Sequence, residues 1–241
     1  MKIMSKEVEL SARMQAIANL VTPGNVVCDV GCDHGFLSIY LVQNKISPRV
    51  IAMDVRSGPL SRCQEHVAQY GLEQYITMRL SDGLECLLSG EAETMVCAGM
   101  GGRLMQRILT EGEEKAAGLK ELILQPQSEL KMFRKFLRGQ GYCTVEENMI
   151  EEDGKFYPMM KVVPASRVKS GQERSVCDRF GTLLLEKNDP VLYRFLKQRE
   201  MQLLLIREGI LTSSHTGARQ RLCEIDSELA DISEAFRYYE G

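Results

Sequence analysis

The stretch Asp29-Val30-Gly31-Cys32-Asp33-His34-Gly35 joins a short apolar run to a helical one and carries the residue types of a ligand-binding turn. Gly31 and Gly35 let the backbone approach a ligand closely, and the start of the following helix offers free N–H groups. A dinucleotide turn has the pattern G-x-G-x-x-G. Here Asp33 stands where the middle glycine would be, and its carboxylate would obstruct and repel a pyrophosphate. NAD and FAD are therefore disfavoured. A ligand with an ammonium group is favoured instead, and S-adenosyl-L-methionine is such a ligand for a D-x-G-x-x-x-G turn. Asp54 closes the next apolar run, where a carboxylate accepts hydrogen bonds from both ribose hydroxyls. Asp82-Gly83 follows the third run, where a short polar side chain takes the adenine exocyclic amine. Either aspartate alone would read as a turn former. Together with the glycine turn, at three successive strand ends, they describe a nucleoside-cofactor site.

A second constellation begins at Cys97-Ala98-Gly99-Met100-Gly101-Gly102-Arg103. Its three glycines would clear side chains from the carboxyl edge of a sheet and leave room for a second substrate. Cys97 reads as core, since nothing nearby would lower its pKa. Leu124-Gln125-Pro126-Gln127 then brings an amide and a rigid proline to the same edge. Cys28, Cys32 and His34 have a tempting C-x3-C-x-H spacing but lack a fourth ligand, and no metal is expected. His66 and His215 read as a helix-face and a loop histidine.

These residues need a scaffold of alternating strands and helices. Apolar runs at 26–30, 50–54, 76–80, 93–98 and 121–125 alternate with helical stretches at 35–44, 58–70, 102–111 and 128–139. The expected fold is α/β: a mostly parallel sheet with helices on both faces, of the class I (Rossmann-like) kind. Residues 5–20 predict an amphipathic helix with Val8, Met14, Ile17 and Leu20 inward. Residues 142–163 predict a hairpin around Asp153-Gly154, ending the sheet antiparallel. After Pro164 a basic linker leads to long helices at 189–210 and 217–239. In the second of these, Leu222, Ile225, Leu229, Ile232 and Phe236 form one apolar stripe. The domains expected are 1–164, for cofactor binding, and 165–241, an antiparallel helical hairpin beside it or projecting from it.

The chain has 241 residues, 44% hydrophobic and 26% charged, which excludes disordered and fibrous classes. No apolar run has membrane-spanning length, and the N-terminus lacks the apolar core of a signal peptide. Eight cysteines, several inside apolar runs, suit a reducing compartment, so the expected location is the cytoplasm. A net charge of −3 argues against indiscriminate coating of nucleic acid. Local basic faces remain. Lys131, Arg134, Lys135 and Arg138 share one helix face, and Arg167, Lys169, Arg174 and Arg179 stud the linker. The sets are expected to grip RNA phosphates, against the plainer reading of solvated surface.

In order along the chain, DVGCDHGFL, IAMDV, SDG, CAGMGGRL, LILQPQ and GKFY, followed by a helical hairpin, resemble the bacterial tRNA adenine N1-methyltransferases of the TrmK family, which modify adenine 22 in the D-arm region. The resemblance covers residues 5–163 and, more loosely, the C-terminal helices. It implies cofactor contacts at Gly31, Asp33, Gly35, Asp54, Asp82 and Gly99, to which His34 and Gly83 are added as neighbours. It implies S-adenosyl-L-methionine as cofactor and tRNA as partner; a monomer without metal or membrane is expected. It carries no catalytic base. Pro158, where an acidic residue is common, is a departure. The chain also lacks the Asn/Asp-Pro-Pro-aromatic motif of enzymes that methylate the adenine amine. Ring N1 already holds an in-plane lone pair, so positioning is expected to dominate. Gln125 or Asp33 is expected to hydrogen-bond the N6 amine, with Met100 and Tyr157 as walls around the base. The competing readings are a class I methyltransferase for a protein or small molecule, and a cofactor-binding interaction protein.

Overall fold

The computed structural model describes residues 7–164, 175–212 and 218–240. Five short strands, β1 (Val27–Val30), β2 (Val50–Asp54), β3 (Ile76–Leu80), β4 (Thr94–Met100) and β5 (Glu121–Pro126), run parallel. A long hairpin of β6 (Tyr142–Glu152) and β7 (Lys155–Pro164), turning at Asp153-Gly154, pairs antiparallel with β5 through β7. The order in the seven-stranded sheet is β3-β2-β1-β4-β5-β7-β6. The winding reverses between β1 and β4, and their carboxyl ends diverge into a crevice, as this topology requires.

Side chains alternate along each parallel strand between two cores. Cys28, Val30, Ile51, Met53, Met95, Cys97, Leu122 and Leu124 face α4 (Gly102–Glu111), α5 (Glu113–Ala117) and α6 (Leu130–Gly139). Val27, Val50, Ala52, Val96 and Ile123 face α1 (Ala12–Leu20), α2 (Phe36–Gln43) and α3 (Ser57–Gln69). Such continuous apolar runs are what a sheet covered on both faces selects.

Two helix starts differ from the periodicity. α1 begins at Ala12 because Ser11 caps it, its side chain accepting from Met14 N. Residues 7–11 are not helical, although Val8 is still buried and its N donates to Gln43 Oε1 at 3.1 Å. α6 begins at Leu130 because Ser128 turns aside to accept from Gly102 N at 3.3 Å and Glu129 is left-handed at φ 57°.

Beyond residue 174 the structure adds two short helices, α7 (Ser175–Phe180) and α8 (Thr182–Glu186), ahead of α9 (Pro190–Leu211) and α10 (Ala218–Phe236). Asp189 caps α9, accepting from Val191 N and Leu192 N, with Pro190 at the first helical position. A third core joins Val176, Phe180, Leu184, Leu192, Leu196, Ile225 and Ile232 to Met149 of β6. The helical hairpin is therefore seated on the β6–β7 ribbon through α7 and α8.

That seating changes the reading of four of the eight cations expected to grip RNA. Lys131 pairs with Asp231 at 3.0 Å, Arg138 with Asp178 at 2.6 Å, and buried Arg134 with Glu147 at 3.0 Å. Arg179 pairs with Asp231 at 2.7 Å. Three of the four α6 cations, and Arg179, are consumed in holding the C-terminal helices, and Lys135 remains exposed. Arg167, Lys169, Arg174 and His215 lie outside the described residues.

Candidate functional site

A cleft of about 660 Å³ opens at the carboxyl ends of β1, β2 and β4, lined by the β1–α2 turn, Asp54, the Ser81-Asp82-Gly83 turn, Gly99-Met100 and Arg13 of α1. The β1–α2 turn owes its shape to positive backbone angles. Gly31 (φ 79°), Asp33 (φ 49°) and Gly35 (φ 75°) are all left-handed, and Gly31 N and Cys32 N donate to Met53 O at 2.8 and 3.0 Å. A Cβ on Gly35 would lie 2.4 Å from Cys63 Sγ, so only glycine lets this turn sit on α3.

Asp54 is 4% exposed at the end of β2 and accepts from Arg56 N at 2.9 Å and Asp33 N at 3.4 Å. Its carboxylate is held toward the turn with acceptor capacity left for a diol. Asp29 lies deeper, accepts from Ser38 Oγ at 2.6 Å, and burial pushes its carboxyl up to about 6, against the lowering effect of Ser38. Asp33 projects into the cleft mouth, with His34 Nε2 3.7 Å from its Oδ2. Phe36 stacks on His66 at 4.6 Å, and His66 Nδ1 lies 2.9 Å from His34 O, which fixes the rim.

Asp82 reaches the cleft already held by Arg107 through contacts of 2.9 and 3.0 Å, and these hydrogen bonds hold its carboxyl below the usual range. Arg107 was not singled out in the sequence; it looks like an ordinary helix-surface arginine until the turn is folded against α4. Gly83 is left-handed (φ 56°) and packs on Ile108.

The glycine-rich end of β4 differs from its expected role. Gly102 meets the α6 entry: a Cβ there would fall 2.6 Å from Ser128 O, and one on Gly101 3.2 Å from Ser128 Oγ. Those two glycines serve packing. Only Gly99 (φ 76°) opens toward the cleft, where a Cβ would meet Arg13 Nη1 at 3.6 Å and Gln127 Nε2 at 3.7 Å. Met100 folds back over the β1–α2 turn, with its Cε 2.2 Å from where a Gly31 Cβ would be. Cys97 is buried, and burial pushes its thiol up to about 12, as expected of a core cysteine.

Gln125 is 1% exposed and its Oε1 accepts from both Arg13 Nη1 and Gly99 N at 3.1 Å. Both lone pairs are thereby used, which corrects the expected contact between Gln125 and a substrate amine. Tyr157 lies beyond this point, with the Arg13 guanidinium 5.1 Å above its ring. It lines a second cleft between the β6–β7 ribbon and the C-terminal helices, which meets the first at Gln127. Asp33, Met100, Gly31 of the β1–α2 turn, Asp54, Asp82, Gly83 and Gly99 thus line one cleft, while Gln125 and Tyr157 reach it through Arg13. Arg13 and Gln127 also line the cleft, and neither stands out in the sequence, because one sits in a helix and the other in a loop remote in sequence from the β1–α2 turn.

The cleft matches a nucleoside with a cationic tail: a buried acidic acceptor for a diol, further carboxylates, and backbone without side chains between them. The sequence pattern of a methyltransferase domain matches residues 10–160. The chain is 32% identical to the tRNA (adenine(22)-N(1))-methyltransferase of Bacillus subtilis (strain 168), over 96% of this chain and 97% of that protein. The crystal structure of the B. subtilis m1A22 tRNA methyltransferase TrmK superposes with a TM-score of 0.85 at 30% identity, covering 95% of this chain and 99% of that one. A Streptococcus pneumoniae protein assigned as a tRNA (m1A22) methyltransferase, in complex with S-adenosyl-L-methionine, superposes with a TM-score of 0.82 at 31% identity, over 94% and 99% of the two chains.

Proposed function

The chain belongs to the tRNA (adenine(22)-N(1))-methyltransferase family, and from that premise we propose that it transfers the methyl group of S-adenosyl-L-methionine to N1 of adenine 22 in tRNA. The observation that carries this reading is the end-to-end relation to the B. subtilis enzyme, joined to a sheet-edge cleft with the acidic and glycine positions such a cofactor needs. When bound, S-adenosyl-L-methionine supplies a methyl carbon on a sulfonium, so that the N1 lone pair forms the new C–N bond while the C–S electron pair returns to sulfur.

The chain's own residues bind and orient. Asp54 accepts from the ribose hydroxyls. Asp33 faces the cationic tail and offsets the positive charge that the adenine ring gains on methylation. Asp82, oriented by Arg107, serves the cofactor's adenine end together with Gly83. Gly31, His34, Gly35 and Gly99 contribute backbone at close approach. Met100 forms an apolar wall between the cofactor turn and the acceptor niche. Gln125 holds Arg13 and Gly99 in place, and Tyr157 supports Arg13. A proton acceptor at N1 is not required, because that nitrogen is unprotonated at neutral pH and attacks through a lone pair in the ring plane.

N1 lies on the pairing edge, so the RNA must present adenine 22 unpaired or flipped. We take the enzyme to act as a cytoplasmic monomer. In support of the location, its cysteines are free thiols, as a reducing compartment keeps them. Incubation with methyl-labelled S-adenosyl-L-methionine should place one methyl on a tRNA transcript carrying adenine at position 22. A reverse-transcription stop should appear there, and a guanine-22 transcript should stay unlabelled. Label in a protein control, or none in the adenine transcript, would overturn the assignment.

A further inference from the structure

The fold takes Gln125 away from the substrate and sets another amide in its place. Gln127 is exposed at the junction of the two clefts. Its backbone is fixed, since it follows Pro126 and its N donates to Met100 O at 2.8 Å. Its side chain has no hydrogen-bond partner among the described residues, and its Nε2 comes within 3.7 Å of the space left open above Gly99. Its neighbours there lack the paired, coplanar donor and acceptor of an amide. Arg13 offers donors only, Met100 a thioether, and Tyr157 a ring with the guanidinium above it.

A carboxamide presents one donor and one acceptor in a plane, matching the amine and N7 of adenine. That edge lies on the far side of the amine from N1. Holding it leaves the N1 lone pair uncovered, whereas gripping the pairing edge would cover the atom that must react. Guanine carries a carbonyl where adenine carries the amine, and would set two acceptors against each other. Resting on the methyltransferase reading above, we propose that Gln127 is the specificity-determining residue for the acceptor base: its Oε1 accepts from the adenine N6 amine and its Nε2 donates to N7. The N1 edge is thereby turned toward Met100 and the cofactor cleft.

The test uses the full chain and tRNA transcripts assembled with adenosine or 7-deazaadenosine at position 22; the latter replaces N7 by C–H and keeps N1. Single-turnover methylation is measured for the wild type and for Gln127→Ala, with S-adenosyl-L-methionine affinity measured by calorimetry. The wild type should lose about tenfold in rate on the 7-deaza transcript. Gln127→Ala should lose at least as much on adenosine, lose little more on 7-deazaadenosine, and bind the cofactor as the wild type does. A wild type indifferent to 7-deaza substitution overturns the assignment. So does a full further loss in Gln127→Ala on the 7-deaza transcript, or a fall in its cofactor affinity. If the wild type leaves the adenosine transcript unmethylated, the methyltransferase reading itself fails, and this is seen before any variant is compared.

Discussion

A buried carboxylate beside a site for a cation couples ligand affinity to pH, and Asp29 is such a group. Burial raises its carboxyl to about 6, with Asp54 adding to the rise and Ser38 opposing it. In the free protein it is therefore mostly protonated below that value and ionised above it. A positively charged ligand in the cleft favours the ionised form. Binding of S-adenosyl-L-methionine should then release protons below about pH 6, and affinity should climb as pH rises through that value before levelling off. Calorimetry in two buffers of different ionisation enthalpy reads the released protons directly. Asp29→Asn should abolish both the release and the pH slope, and a slope that survives the substitution would assign it elsewhere.

Among the elements, α6 and β6 share a buried ion pair that also bonds to the C-terminal helices. Arg134 Nε donates to Glu147 Oε1 at 3.0 Å, and its Nη1 donates to the carbonyls of Asp178 and Arg179 at 3.2 and 3.0 Å. Glu147 also accepts from Leu183 N at 3.0 Å, at the start of α8. Gly181, at φ 97°, leaves room for that carboxylate, since a Cβ there would fall 2.5 Å from its oxygens. Desolvating two charges makes such a pair a weak source of net stability, but removing one partner strands the other. Arg134→Met should cost about 3–5 kcal/mol in denaturant unfolding, and adding Glu147→Gln should recover part of it. An unchanged midpoint for the single variant would mean that water reaches Glu147.

For the molecule as a whole, the boundary expected between residues 164 and 165 is one of sequence more than of energy. Met149 of β6 belongs to the third core, and partly buried Phe156 of β7 packs its ring edge-on against Phe195 at 5.4 Å. A chain cut after Pro164 would expose this apolar face and strip Lys131, Arg134 and Arg138 of their contacts with α7 and α10. It should elute as aggregate on size exclusion and bind a hydrophobic dye, whereas the full chain should not. A monodisperse truncated chain with an unchanged melting temperature would show that the ribbon needs no cover.

The alternation of apolar runs, the glycine turn with its aspartates and the Asp153-Gly154 hairpin were legible in the sequence because each is a local pattern whose period or turn chemistry needs few partners. Asp54 could be placed for the same reason: it closes a strand whose neighbours also end at that edge. Long-range geometry decided the rest. Whether a cation on α6 faces solvent or Asp231, whether Gly102 opens a niche or lets α6 approach, and whether Gln125 or Gln127 stands free depend on atoms brought together from distant parts of the chain. Arg13, joined to Gln125 and Tyr157 from the far end of the domain, shows the reason: a hydrogen-bond partner is settled by packing, which a single stretch of residues does not encode.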